Sequence, residues 1–239
     1  MIPEIRAFYE AAKVGQAATG STGEAETPIT HVKVFHKPYP RFPRIALPEA
    51  KDTGELADLM GRRATEREFS STPLTVEQLA HVLHACRIVD NDRDPERRTY
   101  PSAGARFPVE IYPIVFNVEN LAAGCYHYDI AGDTLEVLWE KDLSDQAIEI
   151  VSPYVSQPAV ALVFTAVIAR AEVKYGARAY PFSLLEAGHM AQNISLTCTK
   201  HGIGACPVGG FVNDSIVKII DLTEHEIPIY VYALGTLAT

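Results

Sequence analysis

The 239 residues contain no C-x-x-C pair, and the four cysteines, Cys86, Cys125, Cys198 and Cys206, follow no regular spacing. That excludes a disulfide framework and a thiolate zinc site. Positive charge is in short supply: 21 Lys and Arg against 30 Asp and Glu leave a net charge of −9, so the summed field repels nucleic acid and anionic membrane. Any anion the chain binds must be gripped locally. No run of about 18 uncharged apolar residues occurs, and the opening MIPEIRAFYEAAK lacks the basic start and apolar stretch of a signal peptide. The expectation is a cytoplasmic protein with neither a nucleic-acid nor a membrane partner. Also missing are a G-x-G-x-x-G after a strand, a G-x-x-x-x-G-K-[ST] and a G-x-S-x-G, so a dinucleotide fold, a P-loop and a hydrolase elbow are unsupported. His81 and His84 stand three apart with no carboxylate or thiol at ligand spacing, which argues against a metal. What is plentiful is apolar content, 47% of the residues, enough for a substantial core.

The chain divides into residues 1–35, a short N-terminal helix with a small polar link at 14–30, and a main domain over 36–239. Residues 36–48, HKPYPRFPRIALP, carry proline every few positions; each blocks helix, so this strip is expected to run extended over a surface or a partner. A helix is predicted near 53–61. A second begins at Thr75, where T-V-E-Q has capping-box spacing and Leu79, Val82, Leu83 and Cys86 line one face. Strands are predicted at 109–118, 125–130, 134–140 and 159–169, the last apolar enough to be buried on both faces, with a hairpin about Ala131, Gly132 and Asp133. A central helix should run from Phe182 to about His201 and stop at Gly202. Residues 227–235 close the domain as a strand. Helices and strands without strict alternation predict an α+β domain.

Four clusters could carry chemistry. In RRATEREF, 62–69, an extended backbone would put Arg63, Thr65 and Arg67 on one side, a set suited to a phosphate monoester; a solvated basic strip paired with Glu66 and Glu68 is the plainer account. In RRTYPSAGARFP, 97–108, Ser102, Ala103 and Gly104 are small enough to let a flat ligand reach the backbone, or they form an ordinary connection. In KHGIGACPVGGFVND, 200–214, Gly209 and Gly210 permit a turn with outward amides. In VKYGARAYPFSLLEAGHMAQN, 173–193, Glu186, His189 and Asn193 share a helical face, and a buried hydrogen-bonded network or a subunit contact explains them, His189 above all, better than catalysis. Lys174 and Tyr175, following a buried strand, are placed to enter a cleft, although most such lysines only snorkel.

The blocks R-A-T-E-R-E-F (63–69), P-S-A-G-A-R-F-P-V-E-I-Y (101–112), G-C-Y-H-Y-D (124–129), L-L-E-A-G-H-M-A-Q-N (184–193) and P-V-G-G-F (207–211) resemble, in that order, SagB-type dehydrogenases of the FMN-dependent nitroreductase superfamily. The resemblance runs from about His36 to Gly235. It implies a nitroreductase-like α+β fold, a central mixed or antiparallel sheet flanked by helices, and a homodimer with FMN at the subunit interface. By matching motifs, Arg63, Thr65 and Arg67 would hold the phosphate and ribityl end, Ser102, Ala103 and Gly104 would line the flavin, and Gly209 and Gly210 would lie near N5. Ala64 departs from the family, where a second Arg or a His is usual, so either Arg62 or Arg63 is the phosphate ligand. The basic pair that follows the last strand in many simple nitroreductases is missing, and Arg98 is the candidate to replace it.

Azoline oxidases of this family carry a Lys-Tyr pair at the position of Lys174 and Tyr175, implicated as the acid/base group. Their substrates are thiazoline or oxazoline rings made by a peptide cyclodehydratase or a nonribosomal synthetase. Aromatising such a ring removes a proton from the former α-carbon and a hydride from its neighbour, so a base and an electron sink must face it together. Lys174 is the expected base, Tyr175 its orienting or relaying partner, and oxygen the expected reoxidant; burial against flavin would favour a neutral lysine and Glu172 nearby would oppose it. Two other activities compete: a general NAD(P)H-dependent nitro or quinone reductase, and a non-catalytic partner subunit of a synthetase or cyclodehydratase.

Overall fold

A computed structural model describes residues 1–13, 39–49 and 53–238. The proposed link at 14–30 and the first residues of the proline-rich strip lie outside them. Within the strip, 39–49 form no helix or strand and are exposed throughout, Ile45 and Leu47 to 90% and 88%.

The frame is one six-stranded antiparallel sheet. Its strands are β3 (Val109–Val115), β4 (Gly124–Asp129), β5 (Thr134–Glu140), β6 (Val160–Val167), β7 (Ile203–Val208) and β8 (Glu226–Thr236), ordered β5-β4-β3-β6-β8-β7. A small ladder joins β1 (Ile88–Asp90) to β2 (Arg97–Arg98). Strand β6 is central and almost wholly buried, as its uninterrupted apolar run requires of a strand covered on both faces. Strand β3 is shorter than predicted because the amides of Phe116 and Asn117 both turn onto the carbonyl of Ala159.

Helices cover both faces. On one side, α3 (Val76–His84) and the 23-residue α6 (Ala179–His201) pack over Val109, Ile111, Leu162 and Phe164. On the other, α4 (Ala147–Val151) and α7 (Asn213–Ile220) cover Ile114, Val163, Val208 and Val231. The N-terminal α1 (Pro3–Ala12) packs Ile5 and Tyr9 against Ala166, Ile168 and Ala171. Thr75 and Gln78 complete the capping box of α3, and Gly202, at φ 66°, ends α6 in the left-handed conformation glycine tolerates. The β4–β5 hairpin turns where expected, with the Asp129 carboxylate accepting from the amides of Ala131 and Gly132.

Two segments differ from expectation. Lys174 and Tyr175 do not extend from strand β6; the chain turns at Ile168 into a short helix, α5 (Ala169–Tyr175), which swings the pair back over the sheet end. Residues 203–208, expected as part of a connection, form the edge strand β7. An edge strand tolerates Pro207 because its missing N–H need not enter a ladder.

Candidate functional site

The arginine strip begins at the end of α2 (Glu55–Arg62) and is extended as expected. It caps the free edge of β7, the Glu66 amide donating to the carbonyl of Ala205 at 2.9 Å. It is pinned at its far end by Phe69, whose ring fills a slot over Gly204 and Gly235; a Cβ on Gly235 would lie 2.5 Å from Phe69 Cγ. Between these anchors the arginines part company. Arg62 Nε donates to Asp58 at 2.9 Å on the surface. Half-buried Arg63 lines a cavity of roughly 170 Å³ with Gly188, Gln192, Pro207, Tyr230 and Tyr232. Arg67 stands 6.0 Å from the ring centroid of Tyr154, and its charge lowers the cost of ionising Cys206, whose thiol burial pushes up. Thr65 is half-buried between them. Arg98 is spent elsewhere: it donates to Glu96 at 2.6 Å and to the Tyr100 hydroxyl at 2.9 Å, and lies 4.0 Å over Phe107. The structure therefore brings Arg63 to the cavity and leaves Arg62 and Arg98 with carboxylates of their own.

A second cavity, of roughly 310 Å³, is lined by Pro101, Ser102, Ala103, Phe182, Glu186 and His189, with Leu185 at its edge. The loop that walls it is a single tight turn over Ala103–Ala105, with Gly104 at φ 58°. It is fastened below by the Phe107 amide, which donates to Ser102 Oγ at 2.9 Å. Lys174 and Tyr175 arrive at this turn from α5: a Cβ on Gly104 would collide with Tyr175 Oη and lie 2.9 Å from Lys174 Nζ. Tyr175 also meets Phe182 edge-on, ring centroids 5.0 Å apart. Lys174 is exposed, so the desolvation a base needs must come from a ligand or a second copy. Glu172, which would oppose it, is turned toward α1, its carboxylate accepting from the Ile2 amide and pairing with the Met1 amino group at 3.4 Å.

Helix α6 separates the two cavities. The small Arg63 cavity takes Gly188, Ala191, Gln192 and Ser195, the larger one Phe182, Glu186 and His189. Leu185, 60% exposed, lines the larger cavity, and the exposed Leu184 lies in a separate apolar groove with Phe8 and Tyr180. Of the polar face read from the sequence, Asn193 forms the expected network, donating to the carbonyls of Ala85 and Thr99 at 3.3 and 3.1 Å. His189 does not; it is exposed at the cavity mouth. Nor does Glu186, which is 2% exposed with neither carboxylate oxygen hydrogen-bonded among the described residues. Burial raises its pKa to about 7, against the pull of Ser102, the Val109 backbone, Arg98 and Arg170.

Gly209 and Gly210 follow β7 directly; Gly209 has open space where a side chain would stand, and the Gly210 carbonyl accepts from the Ser152 hydroxyl at 2.8 Å. Tyr230 and Tyr232 escaped the sequence reading, although their i, i+2 spacing on a predicted strand marks one face. Tyr232 is hydrogen-bonded to Ser195 of α6.

A six-stranded antiparallel sheet between helices, with one cavity beside Arg63 and another walled by the loop whose Gly104 meets Lys174 and Tyr175, makes up an α+β fold. The chain belongs to the nitroreductase family, whose profile matches residues 59–236. It is 30% identical over 185 residues to MJ1384 of Methanocaldococcus jannaschii, a protein named as a nitroreductase, covering 77% of this chain and 92% of that one. It is 29% identical over 147 residues to the microcin B17-processing protein McbC of Escherichia coli, which spans 58% of this chain and 54% of McbC. Among solved structures, a Ralstonia eutropha protein described as a nitroreductase superposes with a TM-score of 0.67 at 27% identity over 82% of this chain and 89% of that one. A chain of the E. coli microcin synthetase McbBCD complex with truncated pro-MccB17 bound superposes with a TM-score of 0.73 over 100% of this chain and 95% of that one; at 23% identity this speaks to the fold.

Proposed function

We propose that the chain is an FMN-dependent dehydrogenase of the SagB type, an azoline oxidase that converts thiazoline or oxazoline rings of a peptide natural product to azoles. The observation that carries this reading is the meeting of Lys174 and Tyr175 at Gly104, an acid/base pair facing the turn best suited to a flat ring. The partial likeness to a microcin-processing protein supports it.

The residues present fit FMN. Arg63, Thr65 and Arg67 offer two guanidinium groups and a hydroxyl to its phosphate and ribityl end, and the partners of Arg62 and Arg98 argue for Arg63 as the ligand. Ser102, Ala103 and Gly104 give one wall without bulk, and Gly209 leaves open space where a side chain would stand. When bound, FMN would supply the electron sink for the hydride that leaves the ring. Lys174 takes the proton from the ring's former α-carbon, and Tyr175 holds it in line or passes the proton on. The exposed Leu185 at the larger cavity and the exposed Leu184 in the neighbouring apolar groove favour a homodimer that covers this face and closes the flavin site. The bare apolar residues of 39–49 favour contact with a synthetase or cyclodehydratase that delivers the ring.

The test is to incubate the yellow protein in air with a thiazoline-containing peptide and seek the loss of two hydrogens by mass spectrometry. An unchanged mass, with rapid bleaching of the flavin by NADPH, would instead establish a nitro or quinone reductase, the reading that similarity to MJ1384 favours.

A further inference from the structure

Among the described residues, Glu186 is a buried carboxyl that the site described above leaves unexplained. A carboxyl this deeply buried normally finds full hydrogen-bonding partners, yet among the described residues none meets either oxygen in full hydrogen-bond geometry. It sits at the floor of the cavity walled by Pro101, Ser102 and Ala103, where Ser102 and the Val109 backbone favour its charged form without meeting it in full hydrogen-bond geometry. Ser102 is already half committed, since its Oγ accepts from the Phe107 amide. That leaves its proton and one lone pair to be shared between Glu186 and the cavity.

We propose that Glu186 is a positioning residue for the flavin site: as a neutral acid beneath the loop it donates to Ser102 Oγ and so turns the Ser102 O–H into the cavity, toward the bound cofactor. The inference rests on the FMN reading above and adds a residue to it. A hydroxyl has one donor and two acceptor sites. With the Phe107 amide on one lone pair and the Glu186 acid on the other, its single proton is free for a ligand acceptor. An ionised Glu186 reverses the order, because a carboxylate can only accept; it draws the Ser102 proton down to itself and leaves the cavity with lone pairs alone.

The charged and titratable surroundings set where this reversal falls. Arg98 on β2, Arg170 on α5, Tyr100 in the loop after β2 and His189 one turn along α6 are the groups about Glu186. Both arginines favour ionisation, and burial outweighs them, holding the carboxyl to about 7. The hydroxyl therefore turns near neutral pH.

The experiment is a titration of FMN into flavin-stripped protein, followed by quenching of flavin fluorescence, at intervals from about pH 5.5 to 8.5, a range bracketing that midpoint. Wild type should lose affinity as pH rises through 7, by about three- to tenfold, the worth of one hydrogen bond. Glu186→Gln, whose amide donates at every pH, should bind with the low-pH affinity and lose that step. Ser102→Ala should bind weakly and lose it too. The phosphate of FMN titrates identically in all three, so the differences between them isolate Glu186. A Glu186→Gln variant, folded by circular dichroism, that keeps the wild-type step overturns the proposal, as does a Ser102→Ala variant that keeps it. Failure of wild type to bind FMN at every pH would instead remove the cofactor reading, and this inference with it.

Discussion

Tyr175 closes over Gly104 so tightly that the turn has no room for a side chain: a single methyl would strike the phenolic oxygen. The same glycine holds a left-handed backbone at φ 58°. Gly104→Ala should thus act twice, adding backbone strain of about 1 to 2 kcal/mol and pushing Tyr175 and Lys174 off the loop. Displacement of a reacting group by about an ångström costs on the order of 10² in rate, so turnover should fall by that order while thermal unfolding shifts by only a few degrees. A variant of full activity would mean that the pair does not work at this turn.

Lys174→Ala should lower azoline turnover by about 10² to 10⁴, with the flavin still bound and the protein still yellow. Absorbance at the flavin band and steady-state turnover on one preparation decide it. Near-normal turnover would remove Lys174 from the chemistry.

Arg63→Ala should weaken FMN binding by about 10- to 100-fold, the loss of a charge-assisted contact. Arg62→Ala should change it by less than about twofold, because Arg62 is tied to Asp58 in an exposed pair of little energetic weight. Calorimetric titration of both variants separates the two; equal losses would return the phosphate to Arg62.

Away from the site, His127 sits between Glu110 and Glu136, which hold its pKa up to about 9. A folded value above the ordinary 6.5 means that this stabilisation is complete below 6.5 and drains away as pH climbs through 9. His127→Gln should be less stable than wild type at about pH 6, and the gap should vanish by about pH 10. Urea melts at both values test it; a gap independent of pH would show that the imidazolium contributes nothing.

Local chemistry made much of this architecture readable. The T-V-E-Q box, the glycine after His201 and the apolar run of β6 each carry a mechanism that needs no tertiary context, and all three stand where expected. Strand β7 was hidden because Gly204 and Pro207 speak for a turn, and only the strip on its outer edge and β8 on its inner one make it a strand. Helix α5 is seven residues long, too short for helical periodicity to beat the strand before it. The arginine strip was legible as a set but not in its register: Arg62 and Arg63 are told apart by where α2 ends. That Glu186 would be left without partners depends on a loop some eighty positions earlier folding over it, which helical spacing alone does not encode.

The ring of Phe69 in its slot over Gly204 and Gly235 gives the arginine strip a fixed far end, as α2 gives it a near one. Between these two pegs the strip is tacked down again, at Glu66 on the carbonyl of Ala205 and at Arg67 by the amide of Ser156. A methyl on Gly235 would therefore loosen the sheet margin from its far end, with Arg63 the last of the strip to be set free.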